Sequence, residues 1–119
     1  MKIQFPIEHA RLLVMNEMSQ FEAAQAQGDT DTAWRSLERI HIISQGFGIM
    51  HLSSHWRMLR YAWALRDTKE VFGQLTRLAL APVGNLTGRL PFGNTGRANV
   101  SAFLPMELPA DLSAQITKL

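Results

Sequence analysis

Apolar residues recur along the first two thirds of the chain at the three- and four-residue intervals of amphipathic helices. Ala10, Leu13, Val14, Met18, Phe21 and Ala24 form the first stripe and predict a helix from about Pro6 to Gln27. Gly28 is a natural C-terminal stop, and Asp29 or Thr30 a natural N-cap for the next helix. The second stripe, Ala33, Trp34, Leu37, Ile40 and His41, ends near Gln45 and Gly46. A third carries Leu52, Trp56, Leu59, Ala62 and Trp63. Asp67-Thr68-Lys69-Glu70 then resembles a capping box, and opens a fourth stripe of Val71, Phe72, Leu75, Leu78 and Ala79. Pro82 should kink or end that helix. Trp34, Trp56 and Trp63 all follow these stripes and are expected in the core.

Beyond Pro82 the periodicity is lost. Gly84, Gly88, Gly93 and Gly96 punctuate the chain together with Pro91, Pro105 and Pro109. Phe92, Phe103, Leu104, Met106 and Leu108 remain, so this strap is expected to pack on the helices. Pro109 is placed to open a last short helix carrying Leu112 and Ile116.

The two halves also repeat. Setting Asp29 on Asp67, an offset of 38 residues, pairs Ala33 with Val71, Trp34 with Phe72, Leu37 with Leu75 and Ile40 with Leu78. Gly28-Asp29, Ala33, Leu37 and Ile40 resemble the turn and second helix of a tetratricopeptide repeat, with Asp67, Val71, Leu75 and Pro82 as a second copy. The expected fold is therefore all-α. Two stacked helical hairpins of tetratricopeptide-like architecture are closed by an irregular C-terminal strap. Residues 1–119 read as one domain, with 6–82 as the four-helix core and 83–119 as the strap.

Composition narrows the function classes. Of the 119 residues 46% are hydrophobic and 18% charged, enough apolar material for a packed core. Twelve Lys and Arg against ten Asp and Glu leave a net charge of only +2, which is poor support for nucleic-acid binding. The absence of cysteine excludes disulfides, thiolate metal sites, iron–sulfur clusters and cysteine nucleophiles. No apolar signal segment follows the start and no run is long enough to span a bilayer, so a cytoplasmic, non-membrane protein is expected.

Three histidines carry the chemistry. His51 and His55 are four residues apart, on one face of a helix and one turn from each other. His41 lies on the preceding helix with Glu38 one turn earlier, the spacing used for metals inside helical bundles. If the hairpin reverses near Phe47, His41 falls opposite the interval between His51 and His55. Three imidazoles and the Glu38 carboxylate would then meet near one point. Such a set suits a divalent metal, zinc first, with iron, copper or nickel as alternatives. Two other readings stand beside it. His41 can be a buried neutral histidine bonded to a carbonyl with the other two exposed, or the three can form a pH-sensitive cluster.

Other features are weaker. Phe92-Gly93-Asn94-Thr95-Gly96-Arg97-Ala98-Asn99 has the look of an anion nest but lacks a P-loop ending, so a structured turn is favoured, with Asn94 and Asn99 in unusual backbone conformations. Arg35, Arg39, Arg57, Arg60, Arg66 and Arg77 are interleaved with Glu38, Asp67 and Glu70, which points to a salt-bridged solvated face. No nucleophile elbow or separate general acid or base supports an enzyme.

The combination of His51-x-x-x-His55-x-x-Met58-Leu59, Arg66-Asp67-x-x-Glu70-Val71-x-Gly73-Gln74 and Pro91-x-Gly93-Asn94-Thr95-Gly96-x-Ala98-Asn99-Val100-Ser101 resembles the bacterial family of domain of unknown function 3703. Leu37-Glu38-Arg39-x-His41 fits the same family, and the resemblance runs from the first helix to about Leu112. It implies a short helical bacterial protein with no assigned catalytic residues, from genes that can neighbour heavy-metal resistance genes. The expectation is thus a metal-binding or metal-resistance accessory protein with His41, His51, His55 and Glu38 as ligands. The alternative is a tetratricopeptide-like interaction module, binding a protein partner or a second copy, without a metal.

Overall fold

The computed structural model describes residues 5–117. Its helices are α1 (Ile7–Ala26), α2 (Thr30–Ser44), α3 (Gly48–Ala64), α4 (Thr68–Thr87) and α5 (Ala110–Thr117). α1 packs on α2 and α3 on α4, and α2 meets α3 to join the two hairpins.

The turns within the two hairpins have matching geometry. Gly28 (φ 70°) and Arg66 (φ 57°) both take the left-handed conformation that ends a helix. The next residues, Asp29 (φ −84°, ψ 85°) and Asp67 (φ −86°, ψ 89°), cap the following helices. Each aspartate N–H reaches back five residues, to Ala24 O at 2.9 Å and Ala62 O at 3.0 Å. Each side chain accepts from a first-turn N–H, Asp29 from Thr32 and Asp67 from Glu70. Only half of the expected capping box is present, because the Glu70 carboxylate turns away to the strap. Among the described residues Arg66 is the single non-glycine at positive φ. Its Cβ strains a conformation that glycine adopts freely. Arg66→Gly should therefore stabilise the protein by about 0.5–1 kcal/mol, read as a rise of a few degrees in the thermal midpoint. An unchanged or lowered midpoint would show that the turn is not strained.

The core lies between the first hairpin and α3. Val14, Phe21 and Ala24 of α1 meet Trp34, Leu37 and Ile40 of α2 and Met58, Tyr61 and Ala62 of α3. Tyr61 sits edge-on to Phe21 and Trp34, with ring centroids 5.1 and 5.0 Å away. α5 closes this core with Leu112 and Ile116, as expected of the segment after Pro109. Arg39 fastens it there. Its Nε donates to Glu17 at 2.7 Å, and its two terminal nitrogens grip Asp111 at 3.1 and 2.9 Å. Arg39 is thus an internal clamp and no part of a solvated basic face.

The second hairpin departs from its apolar stripes. α3 buries His51, Ser54, His55, Met58, Tyr61 and Ala62, which leaves Trp56 and Trp63 outside at 54% and 74% exposure. α4 buries Glu70, Gln74, Arg77 and Ala81, while Phe72 and Leu75 face outward. The reason is what α4 packs against. The strap from Pro91 to Leu104 is irregular backbone, and its buried polar groups need partners that only polar side chains supply. Arg77 donates to Gly73 O and Val100 O, Gln74 to Gly96 O, and Ala98 N–H donates to Glu70. A side chain at Gly73 would collide with Ala98, so that glycine sets how closely the strap approaches.

Pro82 does not end α4, which continues to Thr87 and closes on Gly88 at φ 72°. Proline removes the backbone bond that residue 82 would make to Leu78 O. Beyond it, Asn85 tethers the helix end to the C-cap of α2, its Nδ2 donating to Gln45 O at 3.0 Å. In the strap, Gly93 and Gly96 hold the positive φ angles, and neither Asn94 nor Asn99 does. Phe103 and Leu104 are exposed, so the strap is held by hydrogen bonds more than by large apolar side chains.

Candidate metal centre

His41, His51 and His55 meet in the interior between α2, α3, α4 and the strap. Each is at most 4% exposed. Their Nε2 atoms form a nearly equilateral triangle, with His41 to His55 at 3.1 Å and His51 at 3.2 Å from both. The one-turn spacing on α3 sets His51 beside His55, and the short α2–α3 connection brings His41 against them.

The other ring nitrogen of each histidine is committed outward. His41 Nδ1 lies 2.7 Å from Asn94 O, His51 Nδ1 2.6 Å from Asn85 Oδ1, and His55 Nδ1 2.8 Å from Gln74 Oε1. A backbone carbonyl only accepts, so His41 Nδ1 carries a proton. Gln74 spends its NH2 on Glu70 and Gly96 O at 2.8 Å each, which turns its oxygen to His55. Asn85 spends its NH2 on Gln45 O, which turns its oxygen to His51. All three neutral rings are therefore Nδ1–H tautomers, and all three bare Nε2 lone pairs face one another. None can donate to another, so the close approaches at the centre are lone pair against lone pair.

Burial disfavours the charged form and pushes all three histidines below their ordinary value, His41 well below it and His55 to about 4. The neighbouring imidazoles and the Arg77 guanidinium add to the effect on His41 and His55. Neutral imidazole is the form that ligates a metal.

Glu38 does not join the triangle. It pairs with Arg97 at 3.1 Å, and Arg97 also holds Glu70 at 2.9 Å and lies 3.7 Å over the Trp34 ring. Glu38 is a weakly buried position of α2 facing the strap, where a guanidinium reaches it first. It is connected to the histidines only through Arg97, Glu70 and Gln74. Desolvation raises the Glu38 carboxyl above its ordinary value, against the opposing pull of Arg97. Arg97 is spent on two carboxylates, and the Gly96 and Ala98 N–H groups of the Gly93–Asn99 turn are spent on Asn94 and Glu70. The turn's work is structural: Asn94, 2% exposed, donates to Ser101 O and Leu104 O and accepts from Gly96 N–H. A Cβ at Gly96 would lie 2.7 Å from His41 Cγ and Cδ2, so glycine there lets the strap lie flat on the imidazole.

The partners Gln74, Asn85 and Asn94 were not legible as site residues. They are ordinary amides in the sequence, and the only hint was that Gln74 and Asn94 fall within the segments that carry the family resemblance. The fourth histidine, His9, binds Gln115 O at 2.8 Å and belongs to the α1–α5 contact.

A cavity of about 350 Å³ reaches all three imidazoles. Leu80, Val83, Leu90 and Phe103 contribute apolar wall, Arg77 and Arg89 the charge.

Fold and site together define a small all-helical protein of packed hairpins with a buried three-histidine cluster able to hold a metal ion. The chain belongs to the family described as protein of unknown function (DUF3703), whose family model matches residues 8–116. No curated protein and no solved structure matches it significantly. Among the described residues no helix is long and apolar enough to cross a membrane.

Proposed function

We propose that this protein binds one divalent metal ion through His41, His51 and His55, and serves as a metal-binding accessory protein. The observation that carries the reading is the triangle of three bare Nε2 lone pairs 3.1–3.2 Å apart, each ring locked by a hydrogen bond on its far side. The centre of such a triangle lies about 1.8 Å from each corner. That spacing would suit an ion held at the roughly 2.0–2.1 Å usual for zinc–imidazole bonds, with the three histidines as its protein ligands. Zinc is the first choice, with iron, copper and nickel next for a neutral nitrogen donor set. A role in metal resistance or handling agrees with this chemistry.

Amides behind ligating imidazoles fix their tautomers, and losing one weakens metal affinity about 10–100-fold. Gln74→Leu should do so through His55 and Asn85→Leu through His51, measured by competition with a chromophoric zinc chelator. Wild-type affinity in both variants would mean that the tautomers are not set by these amides.

The alternative, an interaction module, is favoured by one separate observation. Trp56, Trp63, Phe72 and Leu75 form an exposed apolar face on the second hairpin, where a further hairpin would stack in a longer array. Aromatic side chains carry about 150–250 Å² each, so this patch supplies much of the roughly 800 Å² per partner of a standard interface. A second copy is its simplest occupant. Sedimentation should then show a dimer that Trp63→Glu with Phe72→Glu converts to monomer; a monomeric wild type at high concentration overturns this reading.

A further inference from the structure

The charges around the histidine cluster define what the open side of the ion would take. Glu38 and Glu70 are balanced by Arg97 and Arg77, two carboxylates against two guanidiniums. The three imidazoles are neutral donors. Among the described residues no aspartate or glutamate lines the cavity that reaches them. A bound dication would therefore bring two positive charges into a buried site that nothing among the described residues offsets, and an uncompensated buried charge is strongly unfavourable. Arg89 adds a further positive charge at the same cavity, exposed and with no ion pair among the described residues. The cavity demands an anion.

Size and lining narrow the class of anion. About 350 Å³ falls within the range of small-molecule sites and far exceeds what hydroxide or chloride fills. Leu80, Val83, Leu90 and Phe103 line it, together with Ala102 and Pro91. These walls suit a hydrocarbon body.

We infer that the fourth ligand of the metal is an exogenous small organic carboxylate, its headgroup on the ion and its hydrocarbon part against the apolar wall of α4 and the strap. The inference rests on the metal reading above. It adds the chemical class of ligand that the loaded site recognises, with Arg89 drawing the anion in.

Cobalt(II) tests it, because its visible bands report the ligands directly and need no activity. The stripped full-length protein is first titrated with cobalt alone. The loaded protein is then titrated with acetate, benzoate and neutral benzamide, and the metal-free protein with benzoate by calorimetry. The expected result is a saturable change of the cobalt bands with benzoate, roughly tenfold or more tighter than with acetate because of the added apolar contact. Benzamide leaves the bands unchanged, and the metal-free protein takes up no benzoate. Arg89→Gln weakens benzoate by about threefold to tenfold, its cobalt spectrum without benzoate being recorded first. Cobalt bands that appear but respond only to pH overturn the carboxylate, since hydroxide then holds the fourth position, while the metal site stands. Equal response to acetate and benzoate overturns the apolar part of the ligand. If no cobalt bands appear, the metal reading itself falls and takes this inference with it.

Discussion

Zinc at a hundredfold excess over its dissociation constant should stabilise the wild-type protein by about 2.7 kcal/mol, a rise of roughly ten degrees in the thermal midpoint for a domain of this size. His51→Ala with His55→Ala should remove that rise altogether and reduce affinity by well over the hundredfold ceiling of a lost supporting hydrogen bond. The reasoning is geometric. Three nitrogens at the corners of a 3.1–3.2 Å triangle bind an ion together, and one remaining imidazole, His41, is an ordinary weak monodentate donor. The double variant also strands the Gln74 and Asn85 oxygens that had been paired with the rings, so it starts from lower stability. The decisive readout is therefore the zinc-dependent difference in midpoint, not the midpoint itself. Metal content by elemental analysis of untagged protein gives the independent check. An equal zinc-dependent rise in both proteins, or none in either, would sink the metal reading.

Acid should begin to destabilise the metal-free protein from about pH 6.5 downward, before carboxylates titrate. In an unfolded chain histidine protonates near pH 6.5, whereas burial holds His55 neutral down to about 4 and lowers His41 well below its ordinary value too. Between those values the unfolded state binds more protons than the folded state, so stability falls as pH falls. The contribution is fully present above pH 6.5 and is lost by the time pH has dropped through the folded-state value. The span from 6.5 to about 4 is worth about 3 kcal/mol for His55 alone. His51, lowered in the same direction by burial, adds to it. The charges facing the cluster do not relieve this, because Arg77 of α4 repels a further positive charge and Asn94 of the strap is neutral. Against a typical total of 5–15 kcal/mol the loss is large. Thermal midpoints between pH 7 and 4 should fall steeply for the metal-free protein, and zinc should move the fall to lower pH by competing with protons. A midpoint flat over this range would mean that the imidazoles are not buried as neutral groups.

The first hairpin was legible because its inward face is apolar. Ala10, Val14, Phe21 and Ala24, then Trp34, Leu37 and Ile40, keep the helical period and all are buried. The turns were legible as well, since Gly28-Asp29 and Arg66-Asp67 stand 38 residues apart and fold alike. The second hairpin misled for a physical reason. Its strongest apolar residues, Trp56, Trp63, Phe72 and Leu75, lie outside, and Glu70, Gln74, Arg77, His51 and His55 lie inside beside Met58, Tyr61 and Ala62. Periodicity finds the apolar face of a helix, and in α4 that is not the face toward the strap. Pro82 does not end α4, which runs on to Thr87, because a proline inside a helix costs one backbone bond without breaking the bonds on either side.

By itself, then, the sequence determined the helical class, the hairpin turns, the core of α1 and α2, and the convergence of three histidines. Each of these rests on local spacing, and local spacing is what a helix converts directly into position. Only the tertiary structure decided that Glu38 goes to Arg97, that Gln74, Asn85 and Asn94 hold the imidazoles from behind, and that the ring nitrogens left bare face one another. Those pairings join residues up to 59 positions apart through an irregular strap that has no period to read. Which of two competing partners a polar side chain takes is settled by distance and burial in the folded chain.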